Sequence, residues 1–232
     1  MQSLHSIAKH WAIEPDSLKQ LSAQTSAILS NTDLPDNVHN IANTQNGIAI
    51  IPIQGPIVPH ASVLSSLLGA TALDDVINDI EKALHDEDVD ALLLDIDSPG
   101  GVAVGPAEVA EMIYQARTHK PVWAYIARHG TSAAYWLASA ADKIIASRTA
   151  MIGSIGVVTA IPVQEQPDSE GYRHIEIVSS NAANKRPDPR TPDGMAEIRR
   201  ELDSLEAEFI DSIARYRNVS GNTVRHDFGQ GG

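Results

Sequence analysis

Short apolar runs, separated by segments with helical spacing, are the feature that most restricts the fold of this chain. The clearest runs are GIAIIPIQGPI at residues 47–57 and VDALLLDID at residues 89–97. A strand that is apolar throughout is typical of a sheet that is covered on both faces. Strands that alternate with helices along the chain indicate parallel pairing. We therefore predict an α/β fold built on a mostly parallel sheet.

The same alternation continues along most of the chain. Residues 71–86, between the two apolar runs, place leucine, isoleucine and valine at the spacing of a helix face. After the second run the pattern predicts a helix at 105–118, a strand at 121–127, a helix that begins near residue 131, strands at 143–147 and 172–180, a loop at 181–194 and a helix at about 194–217.

The first part of the chain has a different character. Residues 14–30 predict a helix that begins after Asp and Pro residues, and the polar residues 31–46 predict a linker. The sequence thus predicts a helical appendage with its linker at 1–46 and a single main domain at 47–232.

The composition excludes several classes of function. The 232 residues carry a formal net charge of −13, which leaves no basic stripe for nucleic acid. The absence of cysteine excludes disulfides, thiol catalysis and Cys-ligated metals, and we predict neither a metal nor a cofactor. No apolar run approaches the length of a membrane span, and the first residues lack the features of a secretory signal. We therefore expect a soluble protein that stays in the compartment where it is made.

A serine at the mouth of a predicted helix is the first candidate for chemistry. The stretch GTSAAYWLASAADKI at 130–144 places Ser132 before a run of small residues. Serine is a common helix cap, which gives a purely structural explanation. The alternative is a nucleophile at a strand-to-helix turn, exposed by its small neighbours and facing the positive end of the helix. The stretch alone leaves both explanations open.

A nucleophilic serine requires oxyanion donors, and the SPGG turn after the strand at 89–97 offers them. Gly100 and Gly101 can turn backbone N–H groups toward a ligand, because no Cβ stands in the way. The N–H of Ala133 is a further candidate donor. Sites in parallel sheets lie beyond the carboxyl ends of the strands, which places this turn and Ser132 at one edge. An ordinary strand-to-helix turn remains the structural alternative.

The general base stays open between histidine and lysine. His129 lies three residues before Ser132, and His174 falls inside a predicted strand. Among the six lysines, Lys185 alone lies in a loop that can return to the site. A lysine base needs burial, which lowers its pKa, and a solvated loop lysine is the structural alternative.

Four motifs in a fixed order resemble the signal peptide peptidase family of Ser–Lys proteases. They are LLLDIDSPGG, TSAAYWLASAADKI, MIGSIGV and SSNAANKRPDP. The resemblance covers about residues 47–232 and is stronger to the phage branch, the head-maturation or capsid-assembly proteases, whose starts are also similar to WAIEP. It implies a Clp-protease/crotonase-like layered spiral and a homo-oligomer in which neighbouring chains shape the site. Phage members continue past FGQGG, which implies that this chain is truncated at its C-terminal end.

The resemblance also implies a role for individual residues. Ser132 matches the nucleophile, Lys185 the general base, and Ser154 of GSIGV the side chain that orients this base. Gly101 matches the oxyanion donor, with Gly100 beside it. The lysine loop departs from the glycine-rich form of the membrane-anchored members. Substrate is expected to add a strand along residues 101–104, which include Val102, Ala103 and Val104.

The expected function is a serine endopeptidase that cleaves scaffold or capsid proteins during phage head maturation. Its partners would be polypeptides, and its location the cytoplasm of the bacterial host and the immature head. Three alternatives stay open: a non-catalytic scaffold-like assembly protein on the same fold, a cytosolic protease similar to signal peptide peptidases, and an acyl-CoA enzyme of the crotonase type. The presence of Ser132, Ser154 and Lys185 favours the protease.

Overall fold

The computed structural model describes residues 10–13, 17, 20, 21, 23, 43–161, 163, 166 and 178–228. The strands of this part of the chain are β1 (Trp11–Ile13), β2 (Asn43–Gln45), β3 (Ile48–Gln54), β4 (Ile57–Val58), β5 (Thr71–Ala72), β6 (Ala91–Ser98), β7 (Gly100–Val102), β8 (Val122–Thr131), β9 (Lys143–Ala146) and β10 (Met151–Gly153). The helices are α1 (Val63–Leu67), α2 (Leu73–His85), α3 (Pro106–Ala116), α4 (Ala133–Ser139), α5 (Pro192–Arg217) and α6 (Gly221–Asp227), and a 3₁₀ turn spans Ser180–Lys185.

The strands form two sheets in which most neighbours are parallel. The larger sheet has the order β10-β8-β6-β3-β2, with β9 also paired to β8. All of its pairs are parallel except the β2–β3 hairpin. The smaller sheet has the order β1-β7-β4-β5, and β1 is its antiparallel member. The predicted α/β class with a mostly parallel sheet is confirmed.

The central strand β6 shows how the sequence positions the core and the site. Leu92, Leu94 and Ile96 are fully buried, while the residues between them are only half-buried. Successive side chains of a strand point to opposite faces, so one face of β6 is apolar and the other carries Asp95 and Asp97. The prediction of complete burial on both faces is therefore right for one face only.

Two turns divide the N-terminal half differently from the prediction. The linker expected at 31–46 ends in β2, because Asn46 and Gly47 take φ values of 50° and 77° and close a tight hairpin onto β3. Asn-Gly is the usual sequence of such a turn. The strand expected at 47–57 is interrupted at Gly55, which has a φ of 61°. Its last residues form β4 in the smaller sheet.

The other differences lie near the two ends of the described chain. The described residues of the helix expected at 14–30 are helical, whereas β1 was not predicted. Residues 172–177 of the strand expected at 172–180 lie outside the described residues, and 178–180 are not in a strand. The loop expected at 181–194 contains the 3₁₀ turn, and α5 starts at Pro192. No helix among the described residues is long and apolar enough to cross a membrane.

Candidate active site

Ser132 occupies a sharp turn between β8 and α4. Its backbone has φ 56° and ψ −122°, a conformation that residues other than glycine rarely adopt. The Ser132 N–H donates to the carbonyl of Gly153 at 2.7 Å, and the Ser132 carbonyl accepts from Trp136 N–H at 2.9 Å. A strained strand-to-helix turn of this kind presents the nucleophilic serine in α/β hydrolases.

The hydroxyl of Ser132 is buried without a hydrogen-bond partner in the described part of the chain. The residue is 1% exposed, and its Oγ is among the buried polar atoms that lack a partner. A buried unpaired hydroxyl costs about 1–3 kcal/mol, and such groups call for a functional explanation. Every residue of α4 is buried, so the packing of this helix holds Ser132 in a fixed position at its start.

Gly100 and Gly101 bring the backbone of β7 against the serine. A Cβ on Gly100 would lie 3.0 Å from Ser132 Cβ, and one on Gly101 would lie 2.0 Å from the Ile57 carbonyl oxygen. Both positions therefore require glycine. The Gly100 N–H donates to Ser98 Oγ at 3.2 Å. The predicted oxyanion role of Gly101, Gly100 and Ala133 stays a prediction.

The edge predicted to receive a substrate strand is covered by β1. Trp11 pairs with Val102, Ala12 with Gly101 and Ile13 with Gly100, all antiparallel. Of the residues predicted to contact substrate, Val102 and Ala103 are buried and Val104 is exposed. Sequence reasoning missed β1, because three apolar residues at the start of a polar stretch carry no strand signal of their own.

The two remaining members of the predicted site, Ser154 and Lys185, differ in their burial. Ser154 is half-buried with a φ of 53°, directly after the Gly153 whose carbonyl accepts the Ser132 N–H. Lys185 ends the 3₁₀ turn with an exposed side chain, and it makes no hydrogen bond to the Ser132 hydroxyl. The structure thus brings together the serine, the glycine pair and the GSIGV turn, whereas the role of the exposed Lys185 stays a prediction.

Asp97 is a charged residue near the site that sequence reasoning did not single out. Its carboxylate accepts from Arg128 Nε at 2.7 Å and from His129 N–H at 3.1 Å. Burial alone would raise the pKa of Asp97, but the hydrogen bonds from Arg128 and His129 outweigh it and hold this pKa below 3.8. Its place at the carboxyl end of β6 was the available signal.

His129, the alternative base, points to this carboxylate. Its Nδ1 lies 3.3 Å from Asp97 Oδ1, and its ring is half-exposed. No hydrogen bond joins it to Ser132 Oγ.

Burial and the charge of Asp97 raise the pKa of Asp95, which lies on the same strand as Asp97. The described residues contain no group of three or more His, Asp or Glu side chains arranged to hold a metal ion.

The sequence is related to proteases over most of its length. Residues 114–228 match the model of "Peptidase family S49". The chain is 31% identical over 207 residues to "Head-tail preconnector protein GP5" of Enterobacteria phage P21, covering 87% of this chain and 40% of the relative. It is 31% identical over 216 residues to "Capsid assembly protease C" of Escherichia phage lambda, covering 92% of this chain and 49% of the relative.

The chain therefore spans about half or less of the length of these relatives. Among solved structures, an enoyl-CoA hydratase from Mycobacterium avium subsp. paratuberculosis is 15% identical with a TM-score of 0.33, covering 82% of this chain and 90% of that chain. That similarity is too weak to bear on function. The family match and the relationship to the phage proteins agree with the four ordered motifs, and they show that residues 114–228 belong to peptidase family S49.

Proposed function

We propose that this chain is a serine endopeptidase of the Ser–Lys type that cleaves scaffold or capsid proteins during phage head assembly. The observation that carries the proposal is Ser132, a buried and unpaired hydroxyl in a strained strand-to-helix turn beside two obligatory glycines. The relationship to the capsid assembly protease of phage lambda supports the choice of substrate.

The chemistry assigned to the site is acyl transfer through the serine. Ser132 Oγ attacks the scissile carbonyl, and its proton passes to Lys185 as general base. Backbone N–H groups of Gly101 and Ala133 stabilise the oxyanion, and Ser154 orients the lysine. Because a base must be unprotonated, Lys185 has to leave solvent. Its side chain is exposed in this conformation, so we assign activity to a state in which its loop docks on the site.

The partners that we propose are polypeptide substrates and further copies of the same chain. Three large apolar side chains on the paired strands β8 and β9 are exposed side by side: Trp123, Tyr125 and Ile145. An exposed apolar patch of this kind is typical of a protein interface. It supports a homo-oligomer, and the relatives support a location in the host cytoplasm and the immature head.

Two substitutions in the full chain test the proposal. Ser132→Ala should lower the cleavage of labelled casein and of the scaffold protein by about three orders of magnitude or more, because the nucleophile is removed. Lys185→Arg should be nearly inactive at every pH, because arginine does not release its proton. The matched control is Lys82→Arg, an exposed lysine of α2. Equal cleavage by wild type and Ser132→Ala would contradict the proposal.

A further inference from the structure

The N-terminal strand β1 fills the groove in the way that an extended peptide substrate would. It lies between β7 on one side and Val158 on the other. Trp11 N–H donates to the Val158 carbonyl at 2.9 Å, and Val158 N–H donates to the Trp11 carbonyl at 2.8 Å. The Ala103 N–H donates to the His10 carbonyl at 3.1 Å. Peptides that add a strand to a sheet edge are held by such main-chain bonds.

The side chains of β1 are as completely enclosed as those of a bound peptide. Ala12 is fully buried, and Trp11 and Ile13 on either side of it are nearly so. His10 Nε2 lies 3.5 Å from Glu201 Oε1 on α5, an ion pair when the histidine is protonated. The groove therefore holds a small side chain at its centre and large apolar side chains next to it.

The carbonyl of Ala12 lies beside the serine. Its oxygen and Ser132 Cβ lie 2.3 Å and 3.0 Å from the same point, the position that a Cβ on Gly100 would take. Ala12 is also the residue that pairs with Gly101, the predicted oxyanion donor. The peptide group between Ala12 and Ile13 therefore lies near the Ser132 side chain.

We propose that the Ala12–Ile13 bond is a self-processing site, and that the intact strand keeps the groove closed to other peptides. This inference rests on the protease function proposed above. Ser132 Oγ bonds to the Ala12 carbonyl carbon, and its proton passes through the base to the nitrogen of Ile13 as the C–N bond breaks. Water then hydrolyses the Ala12 ester, which restores the hydroxyl and leaves a carboxylate on Ala12. The segment that ends at Ala12 is released, and the groove opens.

Intact-mass spectrometry and N-terminal sequencing of the purified full chain test the inference. We expect a new N-terminus at Ile13 in wild type and none in Ser132→Ala. Ala12→Asp places a charge where no solvent reaches, so it should stop self-cleavage and displace the strand. Displacement should raise the rate on an external casein substrate about tenfold, because the competent fraction of molecules rises. Ala23→Asp, at an exposed helical residue, is the matched control and should behave as wild type.

A synthetic peptide makes the test independent of how well the Ala12→Asp variant folds. The peptide AKHWAIEPDS, which reproduces residues 8–17, should be cut between its Ala and Ile by wild type that has already been processed. If wild type cleaves casein through Ser132 but cuts neither its own Ala12–Ile13 bond nor the peptide, this inference is wrong while the proposed function stands. If Ser132→Ala cleaves casein as fast as wild type, the proposed function itself fails.

Discussion

Asp97 and Arg128 form a charged contact whose effect on stability depends on pH. The pKa of Asp97 is held below 3.8 against the effect of burial, mainly by the hydrogen bond from Arg128. A carboxyl whose pKa is lowered by folding stabilises the protein above the unfolded pKa, and this contribution disappears as the pH falls through the folded pKa. The pair therefore contributes at neutral pH and not in strong acid.

Replacing Arg128 should expose this dependence. We expect Arg128→Gln to lower the free energy of unfolding at pH 7, and the difference from wild type to shrink as the pH falls below 3.8. Urea unfolding at several pH values measures it. Arg148→Gln, at another exposed arginine, is the control. A difference between wild type and Arg128→Gln that stayed constant down to pH 2 would contradict the assignment.

The sequence predicted the start of a helix after Ser132 and a backbone position at Gly100 and Gly101 that has no room for a Cβ, but not the surroundings of Lys185. Ser132 lies in a turn and the two glycines lie at the start of β7 just after the β6 strand, so a few neighbouring residues determine their conformation and the local pattern is informative. The burial of Lys185 depends on how a loop rests on distant elements, and in the structure the side chain is exposed. The contact of Asp97 with Arg128 joins two strands and has no local pattern.

The start of α5 fixes the end of the loop that carries Lys185. Thr191 Oγ1 accepts from Gly194 N–H at 3.1 Å and donates to the Asp188 carbonyl at 3.0 Å. Pro192 occupies the first turn, where its missing N–H is not needed. A Cβ on Gly194 would lie 2.1 Å from the Asp188 carbonyl oxygen, so the loop and the helix start are tightly packed.

Thr191→Ala removes both hydrogen bonds of this cap. We expect a loss of about 1 kcal/mol in the free energy of unfolding, the usual effect of losing a side-chain cap, while Thr191→Ser should retain most of the stability. Chemical denaturation measures both variants. If the alanine variant matched wild type, the cap would contribute nothing, and the loop would be held by other contacts.

The strands that sequence reasoning recognised differ from those it missed in where their pairing partners lie. β6 and β8 contain long apolar runs, and their own composition is sufficient to predict them. β1 has three residues and becomes a strand only because β7, about 90 residues later, offers it an edge. β2 was missed although its signal is local: the Asn-Gly turn that joins it to β3 is present in the sequence, but it lies at the end of the segment that was predicted to be a linker.

The core of the whole molecule connects the serine helix to the C-terminal helix. The rings of Trp136 on α4 and Phe209 on α5 stack with centroids 4.3 Å apart at an angle of 10°, and both are fully buried. Since Trp136 lies one turn after Ser132, this packing supports the position of Ser132 at the start of the helix.

Phe209→Ala should therefore affect both stability and catalysis. We expect the free energy of unfolding to fall by about 3–5 kcal/mol, the usual loss for a large cavity, and peptidase activity to fall under conditions where the protein is still folded. Phe209→Leu fills more of the space and should lose less of both. Thermal unfolding and casein cleavage at low temperature measure the two effects. Full activity in a destabilised alanine variant would show that the stack does not position the serine.

The backbone conformation of Ser132 has a consequence for how the sequence of this protein can vary. Glycine would relieve the unfavourable φ at this position, and it would also remove a buried hydroxyl that has no partner among the described residues. Selection for a stable fold alone would therefore replace this serine with glycine. Under the proposed function, the serine is retained for its reactivity, and the fold is less stable for it at this one residue.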